Sequence, residues 1–226
     1  MFERLSLLIG EDNLNKIHNK TILVVGIGGV GGYTVTSLAR SGVKNIIFID
    51  YDKVDISNIN RQIIAYHSTV GQNKVDVLEH MIKDINPKIN VIKYNLFLNG
   101  DNLMDIFSKH HIDYIVDACD TMGTKKAIIQ YALDNKIKFI SSMGTGNKMD
   151  PSKLEITDIR KTNNDPVARI MRKWVKDNKI NRKIPVLCSK EVPKKTGKIV
   201  SSNSFVPPIA GLLITSYIIN DIIKEW

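Results

Sequence analysis

The residues best equipped for chemistry fall in three segments: the run Gly26-Ile-Gly28-Gly29-Val-Gly31-Gly32, the stretch Asp50 to Gln62 that continues into Gly71-Gln-Asn-Lys74-Val75, and Asp117-Ala-Cys-Asp120-Thr121. Glycines lack a Cβ, so the backbone can turn sharply and bring its N–H groups against phosphate oxygens, and a helix starting there adds partial positive charge. Gly26, Gly28, Gly29 and Gly31 are therefore candidates to cradle phosphate. Asp50 ends a predicted strand, where it can accept hydrogen bonds from a ribose. This much suits a nicotinamide or flavin enzyme equally well. Arg61 and Lys74 separate the two classes. A redox dinucleotide rarely needs two cations just past the ribose strand, whereas a triphosphate does, because charge develops on departing pyrophosphate when the α-phosphorus is attacked. Two ordinary surface cations would leave the same trace. Asp120 is a candidate ligand for Mg2+ or an N-cap for the next helix, and Asp117 reads as buried and structural.

These side chains need a scaffold, and the hydrophobic pattern supplies one. Apolar β-type runs are predicted at Thr21 to Gly26, Asn45 to Asp50, Ile89 to Tyr94, Asp113 to Cys119 and Lys138 to Met143. Helical patterns separate them at about 30–41, 73–86, 102–110 and 124–135. Strands alternating with helices make an α/β fold, a doubly wound Rossmann-like and mostly parallel sheet. After Gly146 the pattern changes to a strand at Leu154 to Asp158, a helix at Pro166 to Asp177, a strand near Val186 to Lys190 and a closing helix. Residues 1–146 thus form a nucleotide-binding region and 147–226 a basic α/β extension of the same domain. On the Pro166 to Asp177 helix, Val167, Ile170, Met171 and Trp174 share one face, and Arg169, Arg172, Lys173 and Lys176 cover much of the rest. The apolar stretch Ile209 to Ile223 is interrupted by Ser216, Asn220 and Asp221 and is shorter than the roughly 20 residues a bilayer needs, so it reads as a buried helix, with no membrane partner.

Composition bounds the rest. With 226 residues, 43% hydrophobic, the chain can bury the core of one domain. Cys119 and Cys188 cannot build a disulfide framework and no C-x-x-C pair offers a zinc ribbon, so a reduced, cytoplasmic setting is expected, without zinc. Met1 to Gly10 lacks the apolar stretch of a secretory signal. Between Arg160 and Lys198 stand 13 Lys or Arg against 3 Asp or Glu, more than the whole chain's net of +9. Such clustering suits a polyanion through phosphate contacts and counterion release, or else marks a solvated basic surface.

Together the runs GIGGVGG, IDYDKVDISNINRQ, VGQNKV and VDACDT resemble the adenylating domain of the E1-like superfamily. By that resemblance Gly28, Asp50, Asn58, Arg61, Lys74 and Asp120 match positions that contact ATP or its Mg2+. Asp52 and Thr121 lie in the same segments and join the candidate nucleotide contacts. In the second half, SSMGTGNKMDPSKLEITDIRKTNNDPVARIMRKWVK, VLCSKE and SFVPPIAG are similar to the tRNA threonylcarbamoyladenosine dehydratase branch, so the likeness spans nearly the whole chain. Members of that branch use ATP to close the threonyl side chain of a modified tRNA adenosine into a ring. The resemblance implies tRNA as partner, ATP and Mg2+ as cofactors, a candidate structural monovalent cation, a cysteine desulfurase or other sulfur-acceptor partner, and a homodimer in which Arg4 reaches the partner's ATP. Family members extend slightly further before the segment matching Phe2-Glu3-Arg4, which leaves an ordinary exposed arginine as the other reading of Arg4. Neither cysteine lies in an obvious thioester-forming loop, and Cys188 reads as packing. Arg169, Arg172, Lys173, Arg182 and Lys183 are the candidate tRNA surface. Three rival readings stand beside this one: adenylation of the C-terminal glycine of a sulfur-carrier or ubiquitin-like protein, an NAD(P)-dependent oxidoreductase, and an RNA-binding module on a relic nucleotide fold.

Overall fold

The computed structural model describes residues 1–194, 197 and 199–224. Strands Thr21–Val25 (β1), Asn45–Asp50 (β2), Asn90–Asn95 (β3), Tyr114–Asp117 (β4), Lys138–Ser142 (β5), Leu154–Asp158 (β6) and Pro185–Ser189 (β7) form one 7-stranded sheet in the order β3-β2-β1-β4-β5-β7-β6. Only β6, at the edge, runs antiparallel to its neighbour, so the sequence pattern's mostly parallel sheet is the observed one. Strands from both the nucleotide-binding half and the basic half belong to it.

Successive residues of a strand face opposite sides, and the core divides accordingly. Ile22, Val24, Ile46 and Phe48 pack on one side against Glu11–His18 (α2), Gly31–Arg40 (α3), Lys74–Ile85 (α4) and Val206–Ile223 (α8). On the other side, Leu23, Val25, Ile47 and Ile49 meet Gly100–Phe107 (α5), Met122–Asp134 (α6) and Pro166–Asp177 (α7). Both faces are covered, which is why β1 and β2 read as unbroken apolar runs rather than alternating ones. The chain leaves β1 outward through β2 and β3, then crosses back to β4 on β1's other flank. That reversal opens a crevice beyond the carboxyl ends of β1 and β4.

Three features depart from the sequence reading. Helices Glu3–Ile9 (α1) and α2 precede the sheet where no element was expected. On α7 the buried residues are Ala168, Met171 and Val175, whereas Ile170 is 44% exposed, so the buried stripe lies about one residue around from the expected one. Burial here follows contact with the sheet rather than side-chain size. The closing helix α8 begins earlier than expected. It has the length and composition of a membrane span, yet Ala210, Ile214 and Ile218 are buried in the core.

Helices α3 and α8 touch closely because Gly211 presents no side chain; a Cβ there would stand 2.4 Å from the Val30 carbonyl oxygen and 3.0 Å from the Thr34 nitrogen. Gly211→Ala is expected to destabilise the protein by about 1–3 kcal/mol, the usual range for overpacking, despite alanine's better helix propensity. Urea unfolding checks this, and an unchanged or raised midpoint refutes it.

Candidate functional site

The glycine run lies at the carboxyl end of β1, and its members do different things. Gly26 adopts φ +82°, and a Cβ on it would come 2.7 Å from the Ala118 carbonyl oxygen at the end of β4. Gly31 is buried, and a Cβ there would overlap the Gly26 carbonyl oxygen at 1.8 Å. Gly31 therefore lets helix and strand pack, and it is not among the residues that line the cavity. Gly26, Gly28 and Gly29 do line it, and a Cβ on Gly28 would meet nothing nearer than the Gln62 Nε2 at 3.7 Å. That open approach at the start of α3 is what a phosphate requires.

Asp50, at the end of β2, faces the same cavity and is 9% exposed. Its Oδ2 accepts from Ile27 N–H at 2.8 Å and its Oδ1 from Asp52 N–H at 2.9 Å. The carboxylate thus clamps the glycine turn, and each oxygen keeps a lone pair for a further donor.

Beyond Asp50 the chain carries both cations back to the turn. Asp55 caps a short 3-10 turn, Ile56–Asn58, whose Asn58 is buried and lines the cavity. Arg61 follows, half-buried, with Nη1 donating to the Ser57 carbonyl at 2.8 Å and to Asn60 Oδ1 at 3.0 Å. Lys74 is the first residue of α4, where the helix dipole disfavours a cation. It is nonetheless 4% exposed, with Nζ 2.7 Å from Asp52 Oδ2. Arg61, Lys74 and Asp52 all line the cavity. Next to them Gln62, 7% exposed, holds its Oε1 buried without a hydrogen-bond partner among the described residues.

The floor is built on β4 and β5. Asp117 and Lys125 are each 1% exposed and pair at 2.7 Å. The same ammonium donates to the Ser142 carbonyl at 2.9 Å and Ser141 Oγ at 3.3 Å, while Asp117 Oδ1 accepts from Cys119 N–H at 3.2 Å. Asp117 is structural, as its setting in the sequence suggests. Lys125 went unnoticed, although it falls in register with the buried Ile128, Ile129 and Ala132 of α6, an unusual place for a lysine. Asp120 and Thr121 line the cavity above this floor. Thr121 is the N-cap residue of α6 and no side chain caps that helix, so Asp120 does not serve as its cap. Among the described residues no group of three or more His, Cys, Asp or Glu could hold a metal, so Asp120 could contribute only one ligand of a set completed by something else.

The opposite wall is made where the two regions meet: Gly144, Thr145 and Gly146 after β5, with Val167, Val200 and Ser202 of the basic half, complete a cavity of about 600 Å3. A second buried ion pair steadies this wall, with Lys148 Nζ 2.8 Å from Asp165 Oδ2 and 2.6 Å from the Gly144 carbonyl. Asp165 also caps α7 through Ala168 N–H. Asn147 exchanges hydrogen bonds with Ser201, and Asn60 Nδ2 donates to the Ser202 carbonyl at 3.1 Å, so a short strap joins the two halves beside Arg61. At the other rim Tyr51 and Phe97 make an edge-to-face pair with centroids 5.1 Å apart.

The remaining candidates lie outside the cavity. Arg4 is exposed on α1. Arg169, Lys173 and Lys183 are exposed. Arg172 is half-buried and donates to the Thr162 carbonyl at 2.8 Å and to its hydroxyl at 2.5 Å, and the Arg182 guanidinium bonds the Leu133 carbonyl. Arg172 is therefore engaged within the fold, and Arg182 keeps one carbonyl contact while remaining exposed. Lys195 and Lys198 of the basic segment lie outside the described residues.

Comparison with known proteins is consistent with this geometry. A family model described as the ThiF family matches residues 2–224. The tRNA threonylcarbamoyladenosine dehydratase of Bacillus subtilis (strain 168) is 38% identical over 242 residues, covering 99% of this chain and 95% of that protein. The dehydratase of the same name from Escherichia coli (strain K12) is 38% identical over 171 residues, 76% of this chain and 63% of that protein. The crystal structure of the E. coli tRNA N6-threonylcarbamoyladenosine dehydratase in complex with ATP superposes with a TM-score of 0.93 at 31% identity, covering 99% of this chain and 94% of that one.

Two outcomes follow from the floor and the thiols. Asp117→Ala strands a buried ammonium and is expected to cost about 3–5 kcal/mol, read by chemical denaturation; a loss below 1 kcal/mol rejects the pair's role. Burial, with the Asp117 charge next in weight, raises the Cys119 thiol well above its ordinary value, and burial pushes Cys188 up to about 11. At pH 8 iodoacetamide should leave both thiols of the native protein unlabelled and label both after unfolding. Rapid native labelling of Cys188 contradicts this.

Proposed function

Starting from the ThiF family, to which this chain belongs, we propose that it uses ATP to adenylate the threonyl carboxylate of N6-threonylcarbamoyladenosine in tRNA and then closes that side chain into a ring. One observation carries the reading: Arg61, Lys74 and Asp120, distant in sequence, line the same cavity as Gly28 and Gly29 at the start of α3. A redox dinucleotide site has no need of that trio.

The residues divide the work. Backbone N–H groups at Gly28 and Gly29 receive phosphate oxygens, and Asp50 accepts from the ribose. The threonyl carboxylate attacks the α-phosphorus, the bond from that phosphorus to the bridging oxygen breaks, and pyrophosphate leaves. Arg61 and Lys74 stabilise the charge that grows on the leaving group. Lys74 is already held in place by Asp52, so little reorganisation is needed. The single unshared carboxylate of Asp120 suits Mg2+, which takes one or two protein carboxylates and fills its shell with phosphate oxygens and water. Bound there, the ion would neutralise the phosphates further. The ureido group of the same side chain then attacks the activated carbonyl, AMP departs and a proton is released. This second step is intramolecular, which supplies much of its rate through effective concentration. No protein nucleophile takes part, in keeping with two thiols held protonated by burial.

The wall made by residues 144–146, 200 and 202 is where the acceptor nucleoside fits, and the basic half supplies the charge that draws tRNA. A second copy of the chain fits α1, which buries none of its residues and leaves Leu7 and Leu8 82% and 70% exposed; Arg4 on that helix would then face the partner's site. The cytoplasm, where tRNA and ATP are at hand, is the setting this chemistry asks for.

The decisive measurement incubates the protein with threonylcarbamoyladenosine-bearing tRNA and Mg-ATP, digests the product to nucleosides and looks by mass for loss of one water. Arg61→Ala is expected to lower that turnover by roughly 100-fold or more with circular dichroism unchanged. Wild-type turnover in the variant would remove Arg61 from the mechanism. Pyrophosphate exchange stimulated by a small carrier protein and not by tRNA would favour the sulfur-carrier reading instead.

A further inference from the structure

The cations of the basic segment are not equivalent. Arg160 pairs with Asp158, Lys190 with Glu155 and Lys148 with Asp165, while Arg172 and Arg182 are spent on backbone carbonyls. The side chains of Arg169, Lys173 and Lys176 make no hydrogen bond or ion pair among the described residues, and all three residues are exposed. They also share a line. At about 100° per residue, positions 169, 173 and 176 fall within roughly 60° of one another, on the side of α7 turned away from Ala168, Met171 and Val175. The stripe rises about 10 Å along the helix.

Its near end lies on the same two turns of α7 that reach the cavity. Val167 lines the cavity from the inner side of the helix, about 160° around from Arg169, and the Lys148–Asp165 pair fastens the start of α7 to the Gly144 carbonyl of that wall. A polymer whose reacting nucleoside occupies that wall and whose strand passes over the outer side of α7 meets Arg169 first. We propose that Arg169, Lys173 and Lys176 form a track for the backbone phosphates of the tRNA strand next to the reacting nucleoside. This rests on the tRNA-modifying function above and replaces the nominated set by dropping Arg172, Arg182 and Lys183 and adding Lys176. The contacts are to phosphate, so the track positions the RNA without reading its bases.

The test compares two triple variants with equal loss of charge. One is Arg169→Ala, Lys173→Ala, Lys176→Ala. The other is Lys88→Ala, Lys109→Ala, Lys136→Ala, exposed residues in the loops that lead into β3, β4 and β5 at the sheet's opposite end. Binding of tRNA is followed by fluorescence anisotropy across a salt series, and ATP binding by calorimetry. The α7 triple should flatten the slope of log affinity against log salt by roughly 2, for three lost phosphate contacts, while the control keeps the wild-type slope. Both should bind ATP as the wild type does. Equal flattening in the two triples, or none in the α7 triple, overturns the track while leaving the enzymatic reading intact. A wild-type protein with no salt-dependent tRNA binding removes both at once.

Discussion

The site depends first on the buried contact between Asp117 and Lys125. A carboxylate and an ammonium withdrawn from water gain little net stability from each other, because desolvation offsets most of their attraction. What they supply is placement. Asp117 holds the backbone of Cys119, and so the turn that carries Asp120, while Lys125 holds the carbonyl of Ser142, where β5 hands over to the cavity wall at Gly144. One charge pair thus ties the turn that carries Asp120 to the opposite wall of the cavity.

A second charge arrangement sits above it, and it is locally unfavourable. Lys74 begins a helix with the wrong sign for its dipole, and Gln62 buries a carbonyl oxygen without a partner. Asp52 offsets the first conflict in the free protein. Local rules broken together around one hollow are the mark of residues kept for a ligand rather than for the fold.

Much of this was legible because it is local. The glycine turn, the carboxylate that ends the second strand and the apolar strands are short local patterns, and β2, β6 and α7 lie at their expected bounds. Arg61, Lys74 and Asp120 could be named from order and charge. What stayed hidden depends on tertiary contact. Gly31 belongs to the same run as Gly28, yet its hydrogen faces the Gly26 carbonyl, and no spacing separates the two roles. Lys148 and Asp165 sit in loops without periodicity, so their pairing has no sequence trace. Arg172 looked like a surface cation until Thr162 was seen beside it. Lys125 did leave a signal, a charge in an apolar register.

The seam between α3 and α8 has a consequence for how the chain matures on the ribosome. Helix α3 is made early and carries a face that Gly211 is shaped to meet, but α8 is made long after it. Likewise β1 must wait for β4 before its second edge is paired. The nascent chain therefore holds an open strand edge until β4 arrives and an uncovered oily face until α8 does, the features that invite aggregation. The apolar face of α3 therefore stays exposed until α8 arrives to cover it.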